Sequence, residues 1–186
     1  MSFSLIPNAV TISRMLAVPP LVWLLIGGHY QWALAVAIFA GLSDLLDGWL
    51  ARRFGWQSEF GGVADPLADK LLMVASYLTL AALGYLPWWL VLLVILRDVA
   101  LVIGGLIYHF RFARFEALPT QLSRFNTFCQ VFLMWFVLIR LAGLPLPPEG
   151  QLGLEWLVAV LTFFTLVQYS WVWGGKAREI ARQRRS

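Results

Sequence analysis

The chain has 186 residues, of which 60% are hydrophobic and only 13% are charged. A soluble domain is about half apolar and about a quarter charged, and a chain this short cannot enclose the larger core that the excess would need, so we expect lipid around it. The net charge of +4 would suggest nucleic acid in a soluble protein. Here the basic residues fall in short loops and in the tail, so we expect membrane phospholipids as the anionic partner and no nucleic acid.

Six apolar runs predict six transmembrane helices, because a helix of roughly 20 residues crosses the bilayer core and satisfies its own backbone hydrogen bonds there. The predicted spans are residues 8–28, 31–53, 62–84, 87–109, 121–142 and 153–175. The first run does not resemble a cleaved signal, because no basic stretch precedes it and polar residues interrupt it. The expected fold class is an all-α membrane protein with one domain over residues 1–186.

The lysines and arginines predict the orientation of these spans. They concentrate in the loops after the second and fourth spans and in the tail, whereas the opposite loops offer only Arg140. The positive-inside rule then places both termini and the even-numbered loops in the cytoplasm. We therefore expect an integral membrane protein whose polar cluster faces the cytoplasm, with a bacterial inner membrane as the expected location.

Acidic residues gather at one place in the chain. Five of the ten fall between positions 44 and 69, and four of these are aspartates. Asp44 and Asp47 are three residues apart, and Asp65 and Asp69 are four apart. Each spacing puts a pair on one face of a helix. A short loop joins the second and third helices, so the spacing predicts that four carboxylates converge at their cytoplasmic ends.

Four close carboxylates repel one another unless cations offset them. A set of hard oxygen ligands without histidine or cysteine favours Mg²⁺ or Mn²⁺, and a two-metal site with Arg52 beside it suits phosphoryl-type displacement. Two other interpretations of the acids remain open. They could form a solvated helix-end cluster or mark an ion or proton path, as in a transporter, although acids gathered on one side do not cross the membrane.

The residues from Asp44 to Asp69 follow the pattern D-x-x-D-G-x-x-A-R-x8-G-x-x-x-D-x-x-x-D. This pattern resembles the complete signature of the CDP-alcohol phosphatidyltransferase family, and six spans with the motif across the second and third resemble the family's architecture. The resemblance implies transfer of a phosphatidyl group from CDP-diacylglycerol to an alcohol, with release of CMP. It also implies a homodimer whose active site opens to the cytoplasmic interface.

The resemblance assigns roles residue by residue. Two divalent ions, Mg²⁺ or Mn²⁺, would be held by the four aspartates, and Asp69 matches the proposed general base for the acceptor hydroxyl. Positions that match the CDP-lining residues of the family are Gly48, Ala51, Arg52 and Gly61. Arg14 closes an Asn-x-x-Thr-x-x-Arg pattern that resembles the family's entry to the first helix, in which the residues matching Asn8 and Thr11 lie near the nucleotide.

The acceptor alcohol is predicted from the fourth and fifth spans. Leu96-Arg97-Asp98-Val99 and the segment from Pro119 to Gln130 resemble the cardiolipin synthases of the family, which use phosphatidylglycerol. Phosphatidylglycerophosphate synthases, which use glycerol-3-phosphate, more often carry a glutamate after the arginine and a lysine where Asn126 stands. We expect the first acceptor and keep the second as the alternative. The predicted pocket for the acceptor phosphate comprises Lys70, Arg97, Arg124 and Asn126, although a structural ion pair of Arg97 with Asp98 remains open.

Overall fold

In the computed structural model, the backbone is described for residues 5–54, 59–112 and 120–183, and the side chains for residues 12–43, 67–104 and 120–171. These ranges contain six α-helices and no strand, which confirms the prediction of an all-α chain. In order, the helices are α1 (Leu5–Ile26), α2 (Tyr30–Phe54), α3 (Glu59–Ala82), α4 (Trp88–Phe112), α5 (Gln121–Leu141) and α6 (Pro148–Gln183).

Glycine ends α1, α3 and α5 in the same way. Gly28, Gly84 and Gly143 have φ angles of 73°, 80° and 102°, a left-handed conformation that costs glycine little because it lacks a Cβ. After α1, the amides of Gly28 and His29 donate to the carbonyls of Leu25 and Leu24, the two bonds of a Schellman cap. The glycines in the sequence therefore fix where these three helices stop.

The last helix is longer than the sixth predicted span, which covered residues 153–175. It begins at Pro148 and ends at Gln183. Proline suits the first turn because its missing N–H would have no partner there, and Gln151 Nε2 donates to Glu155 Oε1 across the next turn at 2.8 Å. The helix therefore continues past the predicted span into the basic residues beyond position 175.

The first of two compact units contains α1, α2, α3 and the end of α5 from Met134 onward. Helix α1 packs against both α2 and α3. Within residues 30–43, the described part of α2, the buried side chains are the small Ala33, Ala37 and Ala40, which allow a neighbouring helix to approach closely.

The second unit contains α4, the first part of α5 and α6. Helix α4 packs against α6, where the rings of Trp89 and Trp156 lie 5.6 Å apart. Leu90, Val91 and Leu133 are fully buried in this unit. Its interior also contains polar side chains that join the helices by hydrogen bonds, and these form part of the candidate site.

Buried polar and exposed apolar side chains occur together in the described part of the chain. Asn126, Gln130 and Thr162 are fully buried, whereas Phe128, Phe163 and Trp171 are exposed. Exposed apolar surface on this scale marks contact with lipid or with another protein. Within the described residues, Gln121–Leu141 and Pro148–Trp171 are long and apolar enough to cross a membrane, and Ile12–Ile26 and Tyr30–Ser43 are shorter apolar helices.

Two leucines on α3 test which side of the helix is the interior. Leu80 is fully buried and Leu78 is 37% exposed. We expect Leu80→Ala to lower the free energy of unfolding by about 2–5 kcal/mol, because the cavity removes packing contacts, and Leu78→Ala to change it much less. Unfolding of the detergent-solubilised protein, followed by circular dichroism, measures both. Equal losses would contradict the buried face assigned to α3.

Candidate active site

The backbone is helical through both acidic pairs, at residues 44–47 of α2 and 65–69 of α3, as the spacing argument requires. Of the four aspartates, Asp69 has a described side chain. The side chains of the other predicted metal ligands and of the predicted CDP-lining residues lie outside the described ones, and their roles stay predictions. These residues are Asp44, Asp47, Asp65, Asn8, Thr11, Gly48, Ala51, Arg52 and Gly61.

Asp69 lies on α3 with its side chain 51% exposed. Its Oδ1 accepts a hydrogen bond from Nη1 of Arg14, which comes from α1. The Arg14 side chain is only 1% exposed, so the cation of this ion pair is inside the unit while the aspartate side chain is half exposed. The sequence motif contained Arg14 but gave it no role, and the structure makes it a direct partner of the predicted general base.

A buried arginine requires a counter-ion, because removing the guanidinium from water costs several kcal/mol that only a close, hydrogen-bonded anion offsets. Asp69, whose side chain is half exposed, supplies this anion. The guanidinium is planar and presents a rigid set of N–H donors, so it restricts the carboxylate in direction as well as in position. The ion pair therefore joins α1 to α3 at the residue on which the predicted chemistry depends.

The described side chains include one of the four predicted metal ligands, Asp69. Among these described residues, no group of three or more histidine, cysteine, aspartate or glutamate side chains could hold a metal ion. Asp69 is a carboxylate with half of its side chain exposed, and hard oxygen donors of this kind suit Mg²⁺ or Mn²⁺. The donor chemistry at Asp69 fits the predicted ions.

Arg97 lies in the second unit and is almost fully buried, as is Asp98 beside it. Its Nη1 donates to Asp98 Oδ1 at 2.7 Å and its Nη2 to Ser123 Oγ at 2.5 Å. The ion pair with Asp98, which the sequence left open, is therefore present. Among the described residues, Arg97 Nε has no hydrogen-bond partner. This buried cation therefore has one N–H donor that is not used in the bonds to Asp98 and Ser123.

The remaining predicted acceptor residues differ in their surroundings. Arg124 is exposed on the first turns of α5, and Lys70 follows Asp69 on α3 with its side chain half-buried. Lys70 belongs to the first unit, whereas Arg97, Arg124 and Asn126 belong to the second. Their combination in one acceptor pocket stays a prediction.

Asn126 is fully buried and bonded to α6. Its Nδ2 lies 3.2 Å from Thr162 Oγ1, and its Oδ1 lies 3.3 Å from the same hydroxyl. Gln130, one turn further along α5, has its Nε2 3.5 Å from that oxygen. Asn126 thus joins two helices in this structure, a contact that the sequence pattern did not indicate. Polar residues at regular spacing in apolar α5 were the available signal, but their partner on α6 was not identifiable from spacing.

Comparison with known proteins agrees with these features. The family model described as CDP-alcohol phosphatidyltransferase matches residues 4–168, so the chain belongs to the CDP-alcohol phosphatidyltransferase family. This family is membrane-embedded and generally uses divalent metal ions. The membership confirms the resemblance that the aspartate motif carried.

Relatives with two different names are similar to the chain. A probable cardiolipin synthase (CMP-forming) of Drosophila melanogaster is 33% identical over 180 residues, which cover 88% of this chain and 56% of that protein. A chloroplastic CDP-diacylglycerol–glycerol-3-phosphate 3-phosphatidyltransferase of Oryza sativa subsp. japonica is 33% identical over 198 residues, 96% of this chain and 59% of that protein. The chain thus spans less than two thirds of the length of these relatives.

Two threonines on α6 test the cluster around Asn126. Thr162 and Thr165 are both fully buried, but the Thr165 hydroxyl donates to the Leu161 carbonyl of its own helix at 2.6 Å. We expect Thr162→Val to lower the free energy of unfolding by about 1–3 kcal/mol, because it removes the partner of a buried amide. Thr165→Val should cost less, since the carbonyl keeps its helical bond. Unfolding in detergent compares them, and equal effects would argue against the contact between helices.

Proposed function

We propose that this protein transfers a phosphatidyl group from CDP-diacylglycerol to an alcohol and releases CMP. The observation that carries the proposal is the family match over residues 4–168, which includes all four aspartates of the motif. The half-exposed Asp69 and its buried cationic partner support it, because a general base must reach a substrate hydroxyl while remaining fixed in place.

The proposed reaction is a single in-line displacement. Asp69 takes the proton from the primary hydroxyl of the acceptor, the hydroxyl oxygen attacks the phosphorus that bears diacylglycerol, and the bond to the oxygen of CMP breaks. Arg52 is proposed to contact a phosphate oxygen of the donor. Divalent ions, held by Asp44, Asp47, Asp65 and Asp69, would supply positive charge for the pyrophosphate and for the leaving group.

Phosphatidylglycerol is the proposed acceptor, with cardiolipin as the product. Relatives named cardiolipin synthase support this choice, as does the Arg97-Asp98 pair. Glycerol-3-phosphate is the second candidate, favoured by the rice relative and by a probable phosphatidylglycerophosphate synthase of Mycobacterium tuberculosis, 34% identical over 143 residues. Arg97 can attract the phosphate of either acceptor, so its charge alone does not separate them.

The proposed location of the active site follows from the chemistry of the lipid donor. CDP-diacylglycerol has acyl chains that stay in the bilayer and a cytidine that stays in water, so its reacting phosphorus lies at the interface. We propose that all six helices cross or enter the membrane, that the active site faces the cytoplasm of a bacterial inner membrane, and that the protein is a homodimer. The exposed apolar side chains of α5 and α6 support contact with lipid.

The metal requirement is the first test of this function. Purified protein in detergent, supplied with CDP-diacylglycerol and phosphatidylglycerol, should stop releasing CMP in excess chelator and resume when Mg²⁺ or Mn²⁺ is added back. The physical reason is that four carboxylates need cations before an anionic pyrophosphate can approach them. CMP release is measured by chromatography, and full turnover in excess chelator would contradict the proposed metal site.

Loss of the general base separates an enzyme from a transporter. Asp69→Asn keeps the size of the side chain but cannot accept the proton, so CMP release should fall by about 10²–10⁴-fold. The variant should still unfold cooperatively, at a lower temperature than wild type, because the buried Arg14 loses its counter-ion. Leu78 is 37% exposed and carries no ionisable group, so Leu78→Ala on the same helix serves as the active control. Proteoliposomes that moved ions in an Asp69-dependent way, with no CMP formed, would favour a transporter.

A competition experiment identifies the acceptor. Labelled CDP-diacylglycerol is offered with equal amounts of phosphatidylglycerol and glycerol-3-phosphate, and the lipid products are resolved by mass spectrometry. Cardiolipin should dominate, because Asn126 adds no positive charge for a phosphate dianion to use. Phosphatidylglycerophosphate as the main product would overturn the acceptor assignment and leave the displacement chemistry in place.

A further inference from the structure

We propose that Arg14 is a positioning residue for the reaction, acting through Asp69. The inference rests on the proposed function, because it assigns Arg14 a task in turnover. Its basis is the contact between α1 and α3, in which Arg14 Nη1 donates to Asp69 Oδ1. Arg14 is not proposed to touch either substrate. It determines the direction in which the carboxylate of Asp69 points.

The unequal burial of the two side chains gives the ion pair this directional effect. Arg14 is 1% exposed and Asp69 is 51% exposed. A half-exposed aspartate on a helix ordinarily samples several rotamers, because its terminal torsion is broad. A guanidinium fixed inside the unit favours the rotamers in which Oδ1 faces α1. The buried cation thus acts as the fixed partner and the carboxylate as the oriented one.

The position of Arg14 along α1 connects this orientation to the rest of the site. Thr11 lies one helical turn before Arg14, and Asn8 lies a further turn before Thr11. The same helix therefore carries the predicted nucleotide-contacting positions and the partner of the predicted general base. A shift of about 1 Å in a reacting group can cost on the order of 100-fold in rate, so a tie between α1 and Asp69 matters for turnover.

A purely structural ion pair is the competing explanation, and it makes different predictions. If Arg14 only held α1 to α3, its loss would reduce stability and leave the kcat of the folded molecules unchanged. If it orients Asp69, its loss should reduce kcat. Arg14→Gln can separate the two because Asp69 is half exposed, so water can solvate the carboxylate and no isolated charge is left buried.

The kinetic experiment uses the full chain in detergent, with CDP-diacylglycerol and phosphatidylglycerol as substrates. Arg14→Gln should lower kcat for CMP release by about 10–100-fold and change the KM of each substrate by less than about threefold. Arg14→Lys should recover part of kcat, because it restores the charge without the planar fork. Arg140→Gln, which removes an exposed arginine in the last turn of α5, is the matched control and should keep the wild-type kcat.

Chemical rescue adds a readout that a structural role would not affect. Arg14→Ala leaves a cavity the size of the lost side chain, and millimolar guanidinium should raise its kcat at least about fivefold by occupying the site of the lost cation. Sodium at the same ionic strength should have no such effect. Rescue by guanidinium, with a KM unchanged, supports positioning. Equal effects of guanidinium and sodium contradict it.

A stability cycle tests the contact without any turnover. Thermal transitions are recorded in chelator for wild type, Arg14→Gln, Asp69→Asn and the double variant. Interacting residues should give non-additive shifts. Additive shifts overturn the ion pair, and non-additive shifts with an unchanged kcat overturn the positioning role. If wild type releases no CMP, the proposed function fails and the positioning role fails with it, while the cycle still reports whether Arg14 and Asp69 interact.

Discussion

A polar group inside an apolar environment must find its partner within the protein, and much of this structure follows from that constraint. Arg14 is paired with Asp69, Arg97 with Asp98 and Ser123, and Asn126 with Thr162. Each pairing spans two helices or fixes a side chain that does. Lipid offers little hydrophobic gain for helix association, so close packing and these bonds decide which helices meet.

The two arginines show how one constraint serves two tasks. Both are nearly fully buried and both are neutralised by an aspartate. Arg97 is bonded to the neighbouring Asp98 and reaches across to α5, so its ion pair keeps a cation inside the second unit. Arg14 instead reaches from α1 to a carboxylate on α3 whose side chain is half exposed. Asp98 is buried, so Arg97 stays an internal cation. Asp69 is half exposed, so Arg14 can orient a reactive group.

Small residues and glycine-ended helices provide the frame for these contacts. Gly28, Gly84 and Gly143 end their helices in left-handed conformations, and the alanine face of α2 allows its neighbours to approach closely. With short connections between helices, a few side chains determine which residues meet. The proposed transferase chemistry depends on these few contacts, because they hold the reactive residues, which must lie where a lipid headgroup and water are both accessible.

The sequence by itself determined the six helices, the glycine stops and the family, because helix length, turn chemistry and the spacing of four aspartates are local properties of the chain. It raised an ion pair between the adjacent Arg97 and Asp98 as one of two interpretations, and the structure contains that pair. It did not reveal Arg14 with Asp69 or Asn126 with Thr162, pairs separated by 55 and 36 positions. Which residues face each other across two helices depends on helix rotation and register, set jointly by all packed side chains, and only the tertiary structure decided that.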